Sequence, residues 1–256
     1  TFNETLDVSG TASIDTTDNG NTPAGANITF SGTLDSVGGN HALLIGAGTN
    51  GDVTFLGDVG GTTALSSLTV AGRNLAIRSV TTTSFQSYTG AVTLSGPTTL
   101  TTDGGVADPV SFSGAIDGAQ TLTIEAGNAD VTIGGAVGGS TPLTGLSVFG
   151  GLISLADVTS TGSQTYSGNV SLSGDLASTT SGSISVEGDT TLVGATRSVT
   201  TNGGAGTADA PLPTPDMVDD LVAGEQVVFD EEDDHFCARE PSRDGCRCPP
   251  PRQALR

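Results

Sequence analysis

GDVTFLGDVGGTTALSSLTVAG, residues 51–72, returns at residues 129–150 as ADVTIGGAVGGSTPLTGLSVFG. Seven of the first eleven positions are identical, at an offset of 78 residues. The same offset relates QSYTGAVTLSG (86–96) to QTYSGNVSLSG (164–174), where seven of eleven match and three of the four differences exchange Ser and Thr. A fixed long period of this kind is the signature of a repeat architecture. It describes a scaffold more than a chemistry.

Working outward, LDVSGTASIDT (6–16) aligns with VTLSGPTTLTT (92–102), so the chain opens part-way through a copy. One full copy follows from Ile28 to about Gly105 and a second from Val110 to about Gly182. A third begins at Ile184 and fades. Phe30-Ser31-Gly32 and Phe112-Ser113-Gly114 stand 82 apart rather than 78, which marks a small length change between copies.

The recurring unit within a copy is a triplet, apolar–Thr/Ser–apolar, such as Val53-Thr54-Phe55, Leu68-Thr69-Val70, Val131-Thr132-Ile133 and Val170-Ser171-Leu172. Side chains of a strand alternate faces, so each triplet sends two apolar groups inward and one hydroxyl to water. Thr on the outer face keeps β propensity and remains wettable. Strands this short need stacking, and a β-solenoid supplies it: coils pair along the axis and their inward rows merge into one core. Coils of roughly 20 residues would put about four in each copy. The rival arrangement is a string of β-sandwich modules, which usually have longer strands and often a core Trp. The chain has no Trp. The expected fold is therefore all-β, a solenoid over residues 1–204.

Composition agrees and excludes several functions. Of 256 residues 38 are Gly, aromatics make up 4% and charged residues 14%. A net charge of −20 argues against nucleic acid, which needs clustered basic groups, and against anionic lipid. No apolar run approaches the roughly 20 residues of a membrane helix. The start at Thr1, with no signal peptide in view, predicts a piece processed or excised from something longer.

After Gly203 the pattern changes. Residues 205–216 read as a Pro/Gly/Ala linker and 217–256 as an acidic, cysteine-bearing tail. Gln226-Val227-Val228-Phe229 could form a strand, and the acidic run Asp230–Asp234 follows. Cys237, Cys246 and Cys248 fall within twelve residues, beside His235. One reading is a Cys₃His zinc site, although this spacing is not that of a standard knuckle. The other is a disulfide from Cys237 to Cys246 or to Cys248. Closing such a loop would remove about 2.7 kcal/mol of unfolded-chain entropy. Cys246 and Cys248 stand too close to bridge each other comfortably.

The segments GDVT…G.VGG.T.L..L.V.G and Q.Y.G.V.LSG resemble repeats of large bacterial surface proteins of the filamentous-haemagglutinin, two-partner-secretion type, over residues 6–204. The resemblance implies a right-handed β-helix that is exported and folds outside the cell, serving adhesion or structure. It implies partners as well: a host or surface receptor, an outer-membrane export partner, or further copies in a fibre. The family includes adhesins whose C-terminus is held at the outer membrane by a short disulfide-closed loop, and CAREPSRDGC (237–246) looks like such a loop. The expectation is a non-enzymatic extracellular adhesin stalk or fibre subunit.

The competing class is a polysaccharide-active β-helix enzyme, which needs paired carboxylates and often a basic residue. Asp52, Asp58, Asp117, Asp130, Asp157 and Asp175 are candidates, but several adjoin Gly at turns, where Asp caps backbone. No catalytic residue or cofactor is assigned. Asp15–Asn21 (DTTDNGN) offers oxygen ligands for weak calcium binding but lacks the terminal Glu of an EF-hand loop. His41 stands without a neighbouring ligand and is read as a structural or exposed histidine, and Tyr88 and Tyr166, at equivalent positions, as packing residues.

Overall fold

The computed structural model describes residues 1–180, 182–194 and 197–201, together with the backbone of three short strands at Gln226–Asp230, His235–Arg239 and Cys246–Arg247. Among the described residues every regular element is a strand. Up to Thr201 every pairing between these strands is parallel, as coiling requires. The chain is a β-solenoid of about eight turns.

The registers define three faces. Face I begins at Leu6–Val8, paired to Leu34–Ser36, and continues through Val59, Val80, Leu100, Ile124, Val148, Tyr166 and Val186. Face II begins at Ala12–Asp15 and runs through Leu43, Leu68, Gln86, Val110, Val131, Ile153, Val170 and Thr190. Face III carries Ile28, Val53, Leu75, Val92, Ile116, Val137, Val158, Leu176 and Val199.

The alternation expected of the triplets is present. Val131 and Ile133 are buried while Thr132 is exposed, and Val53 and Phe55 are buried around a half-buried Thr54. The inward residues form one cluster from Val8 to Leu176. Aromatic rings extend the stacking: Phe2, Phe30 and Phe55 lie with centroids 5.0 Å apart, and Tyr88 on Phe112 at 4.7 Å. Offset stacking adds to what burial of these rings contributes.

The coil count per copy differs from four. Val53 shares face III with Leu75, Val92 and Ile116, but its repeat-mate Val131 lies on face II. A 78-residue copy thus covers three turns and two further faces, and successive copies are rotated by one face. The reason lies in coil length, which ranges from 17 residues (Leu75 to Val92) to 31 (Ala12 to Leu43). Short coils come from strands that bend through a corner without a loop: Leu68–Ile77 and Gln86–Leu94 each serve faces II and III, with a register shift between Ala71 and Asn74. Gly90 (φ +135°) turns this corner, and a Cβ there would collide with the carbonyl oxygen of Gly72. Gly168 (φ +144°) repeats the arrangement against Gly150.

Candidate functional site

The carboxylates singled out in the sequence do not converge. They are distributed along the rod, and most bond to backbone or side chains of an adjacent coil. Asp35 accepts from the N–H groups of Thr62 (2.8 Å) and Thr63 (3.1 Å), and its repeat-mate Asp117 accepts from Ser140 (2.8 Å) and Thr141 (2.9 Å). Asp157 accepts from the amide of Asp175 (2.8 Å), and Asp175 from that of Ser198 (2.9 Å). Each such bond joins a turn to the next coil, where an unpaired amide would otherwise cost stability.

Asp52 and Asp58 are used differently. Arg73 grips Asp52 with two nitrogens, Nε to Oδ1 at 3.0 Å and Nη2 to Oδ2 at 2.7 Å, while Asn74 Nδ2 donates to Oδ1 at 2.8 Å. The Arg73 hydrogen bonds hold the Asp52 carboxyl below its ordinary range. Arg78 Nε approaches Asp58 at 3.6 Å. Asp130 is exposed, and its carbonyl accepts from Val110 N–H at 3.1 Å.

The loop read as a calcium candidate is closed on itself. Asp15 Oδ1 accepts from the amide (2.8 Å) and hydroxyl (2.6 Å) of Thr17, and Oδ2 from the amide of Asn19 (2.8 Å). Those bonds, the Thr17 hydroxyl first, lower the Asp15 pKa. Asp18 and Asn19 adopt left-handed backbone (φ 53° and 54°) to let the loop wrap the carboxylate, which both residue types tolerate. Among the described residues no group of three or more His, Cys, Asp or Glu is placed to hold a metal ion. His41 is half-buried, and its backbone N–H donates to Ser36 Oγ at 2.9 Å.

The polar feature that sequence reasoning missed is inside the core. Tyr88 and Tyr166 are fully buried, as packing residues should be, but each needs a partner for its hydroxyl. Tyr88 donates to Gln86 Oε1 at 2.9 Å, and Gln86 Nε2 donates to the Thr101 carbonyl (2.9 Å) and to Thr82 Oγ1 (3.2 Å). The second copy has the same unit: Tyr166 to Gln164 at 2.9 Å, then Gln164 Nε2 to the Ala177 carbonyl (2.8 Å) and Ser160 Oγ (3.0 Å). Burial pushes both phenols well above their usual pKa. The available signal was Gln-x-Tyr recurring at 78 residues, with Gln in an inward position of the triplet.

The cysteine candidates fall on the tail. Cys237 and Cys246 lie in strands whose side chains are outside the described residues, as is the whole of Cys248. Among the described residues no helix is long and apolar enough to cross a membrane. Comparison with family models, with curated proteins and with solved structures finds no match to this chain.

Proposed function

We propose that this chain is a non-enzymatic structural or adhesive part of an extracellular surface protein, a stalk or fibre subunit that projects by stacking coils. The observation that carries the reading is how the described carboxylates are used. Asp35, Asp117, Asp157 and Asp175 tie one coil to the next, Asp15 caps its own turn, and Asp52 and Asp58 face arginine. Asp103 and Asp108 do meet, but around the single turn Gly105–Asp108 on the surface rather than across a cleft. General acid–base chemistry on a polysaccharide would need two carboxyl groups flanking a bound sugar across a cleft. Outward triplet positions on face II run Ser13, Leu44, Thr69, Ser87, Ser111, Thr132, Ser154 and Ser171, a hydroxyl row interrupted once by exposed Leu44 and suited to solvation and to contact along its length.

The test is negative-stain microscopy combined with a sugar-release assay. Eight turns at about 4.8 Å each give a rod about 40 Å long before the tail. Isolated rods support a stalk and filaments a fibre subunit. Release of reducing ends from polysaccharide substrates would overturn the reading. Surface retention would be measured on cells displaying the chain, with Cys237 and Cys246 replaced by Ser to test the disulfide-loop anchor.

A further inference from the structure

The two copies build one corner on the same backbone and finish it with different side chains. Arg73 N–H donates to the Gly51 carbonyl at 2.8 Å, and its repeat-mate Gly151 N–H donates to the Ala129 carbonyl, also at 2.8 Å. Leu75 then pairs with Val53, and Ile153 with Val131. The first corner is closed from within: Arg73 grips Asp52 with two nitrogens, and Asn74 adds a third bond. The second corner keeps the carboxylate, Asp130, but has Gly151 and Leu152 where the two donors stood. Among the described residues the ion pairs are Arg73 with Asp52 and Arg78 with Asp58, so Asp130 meets no cation. Nor can this corner carry an arginine of its own in the same pose. A Cβ at Gly151 would stand 2.5 Å from the Asn128 carbonyl oxygen.

Apolar groups flank the gap. Phe149, the repeat-mate of Ala71, is 40% exposed and Leu152 is 42% exposed, although their neighbours on the adjoining coils are polar: Glu125 and Ser167 beside Phe149, and Asn169 beside Leu152. Between them Gly150 and Gly151 carry no side chain. The corner therefore has two apolar walls, a bare backbone floor, and the exposed carboxylates Glu125 and Asp130 on the preceding coil.

We propose that this corner is a docking site for an arginine-bearing segment of a partner protein, whose guanidinium takes on Asp130 the place that Arg73 holds on Asp52. The first copy thus supplies an internal template for the contact. An arginine has an apolar stem and a planar, two-pronged head, which suits a gap walled by Phe149 and Leu152 with a carboxylate beside it. A cation over the Phe149 ring adds attraction. The partner's residues next to that arginine are uncharged or basic, because Glu125 and a net charge of −20 repel acidic ones.

The probe is a dye-labelled peptide, Gly-Ser-Val-Arg-Val-Ser-Gly, titrated into the full chain at low ionic strength and read by fluorescence anisotropy. Binding is expected to weaken at least about fivefold when citrulline, an uncharged isostere, replaces the arginine, and by a similar factor with lysine, which lacks the two-pronged head. Asp130→Asn should weaken binding of the arginine peptide as much. So should Phe149→Ala combined with Leu152→Asn, which gives this corner the first copy's residues. These side chains are exposed, so the rod stays folded, and circular dichroism checks that it does. No binding of the arginine peptide would overturn the proposal. So would a lysine peptide that binds as tightly, or arginine binding unmoved by both variants, because the attraction would then belong to the overall charge of the chain.

Discussion

The copy at residues 51–96 and its repeat at 129–174 share a sequence pattern and differ in where it points. Leu68 lies on face II and its repeat-mate Leu146 on face I; Val53 lies on face III and Val131 on face II. Local contacts survive the rotation: the Gln-x-Tyr unit, the glycine corner and the Asp cap recur with distances within about 0.2 Å. The environment of a residue is thus set by the coil above and the coil below, not by the face. One corner does differ. Asp52, Arg73 and Asn74 form an ion-paired cluster at the first, and the second has Asp130, Gly151 and Leu152.

If stacking alone decides, equivalent core substitutions should cost the same on different faces. Phe55→Asp and Ile133→Asp each bury an unpaired charge, and both are expected to lose about 4 kcal/mol or more, enough to unfold the rod in dilute urea. Circular dichroism through a urea titration measures it. A large inequality between the two would mean that the faces are not equivalent after all.

Alkaline pH acts on both copies at once. The chain has two tyrosines, both fully buried, and burial favours the neutral phenol, so the folded-state pKa lies above the unfolded value of about 10. This stabilisation is complete below pH about 10 and declines as pH rises above it, by about 1.4 kcal/mol per tyrosine for each unit, because the unfolded chain alone releases the proton. Tyrosinate absorbance is expected to rise together with loss of β signal. Ionisation near pH 10 with the fold intact would contradict the buried placement.

Removing the acceptor separates the copies. Gln86→Leu leaves the Tyr88 hydroxyl buried without its partner, at an expected cost of about 1–3 kcal/mol, and adding Tyr88→Phe should restore most of it. Gln164→Leu should cost less. Tyr166 is followed on its face by half-buried Val186, close to the end of the rod, whereas Tyr88 is sealed by Phe112. Midpoints from the same urea titration decide.

The sequence made the solenoid legible because period-two triplets with Thr or Ser at the centre leave little choice of face, as at Val131-Thr132-Ile133. Rotation of the copies was not legible. It depends on corner residues such as Gly72 and Gly150, where one continuous strand bends through two faces and shortens the coil, and nothing in the composition of those stretches distinguishes a bend from a turn. Asp chemistry was legible in kind but not in reach. Asp15 caps its own turn, two and four residues away, while Asp35 caps an amide 27 residues on, a distance meaningful only once coils are stacked. Gln86 was hidden by its polarity, since an amide in an inward position reads as a break in the pattern until its tyrosine partner is seen.

The smallest expected effect lies on the outer face and sharpens the one corner that differs. Thr54→Asp and Thr132→Asp place a carboxylate on the solvent side of equivalent triplets, where each should shift stability by less than about 0.5 kcal/mol. Residues two apart on a strand point the same way, so the new carboxylates would neighbour Asp52 and Asp130 respectively. Asp52 is already neutralised by the two-nitrogen grip of Arg73. Asp130 is exposed, and Gly151 stands where the first copy has Arg73, so a second carboxylate beside it meets repulsion with no cation across the corner among the described residues. Thr132→Asp should therefore be the more destabilising of the pair at low ionic strength. Added salt should close the gap, since exposed charges are screened within about 10 Å at 0.1 M. Thermal midpoints of both variants, measured without and with salt, test this. A gap that persists at high salt would show that packing, not charge, separates the two copies at this position.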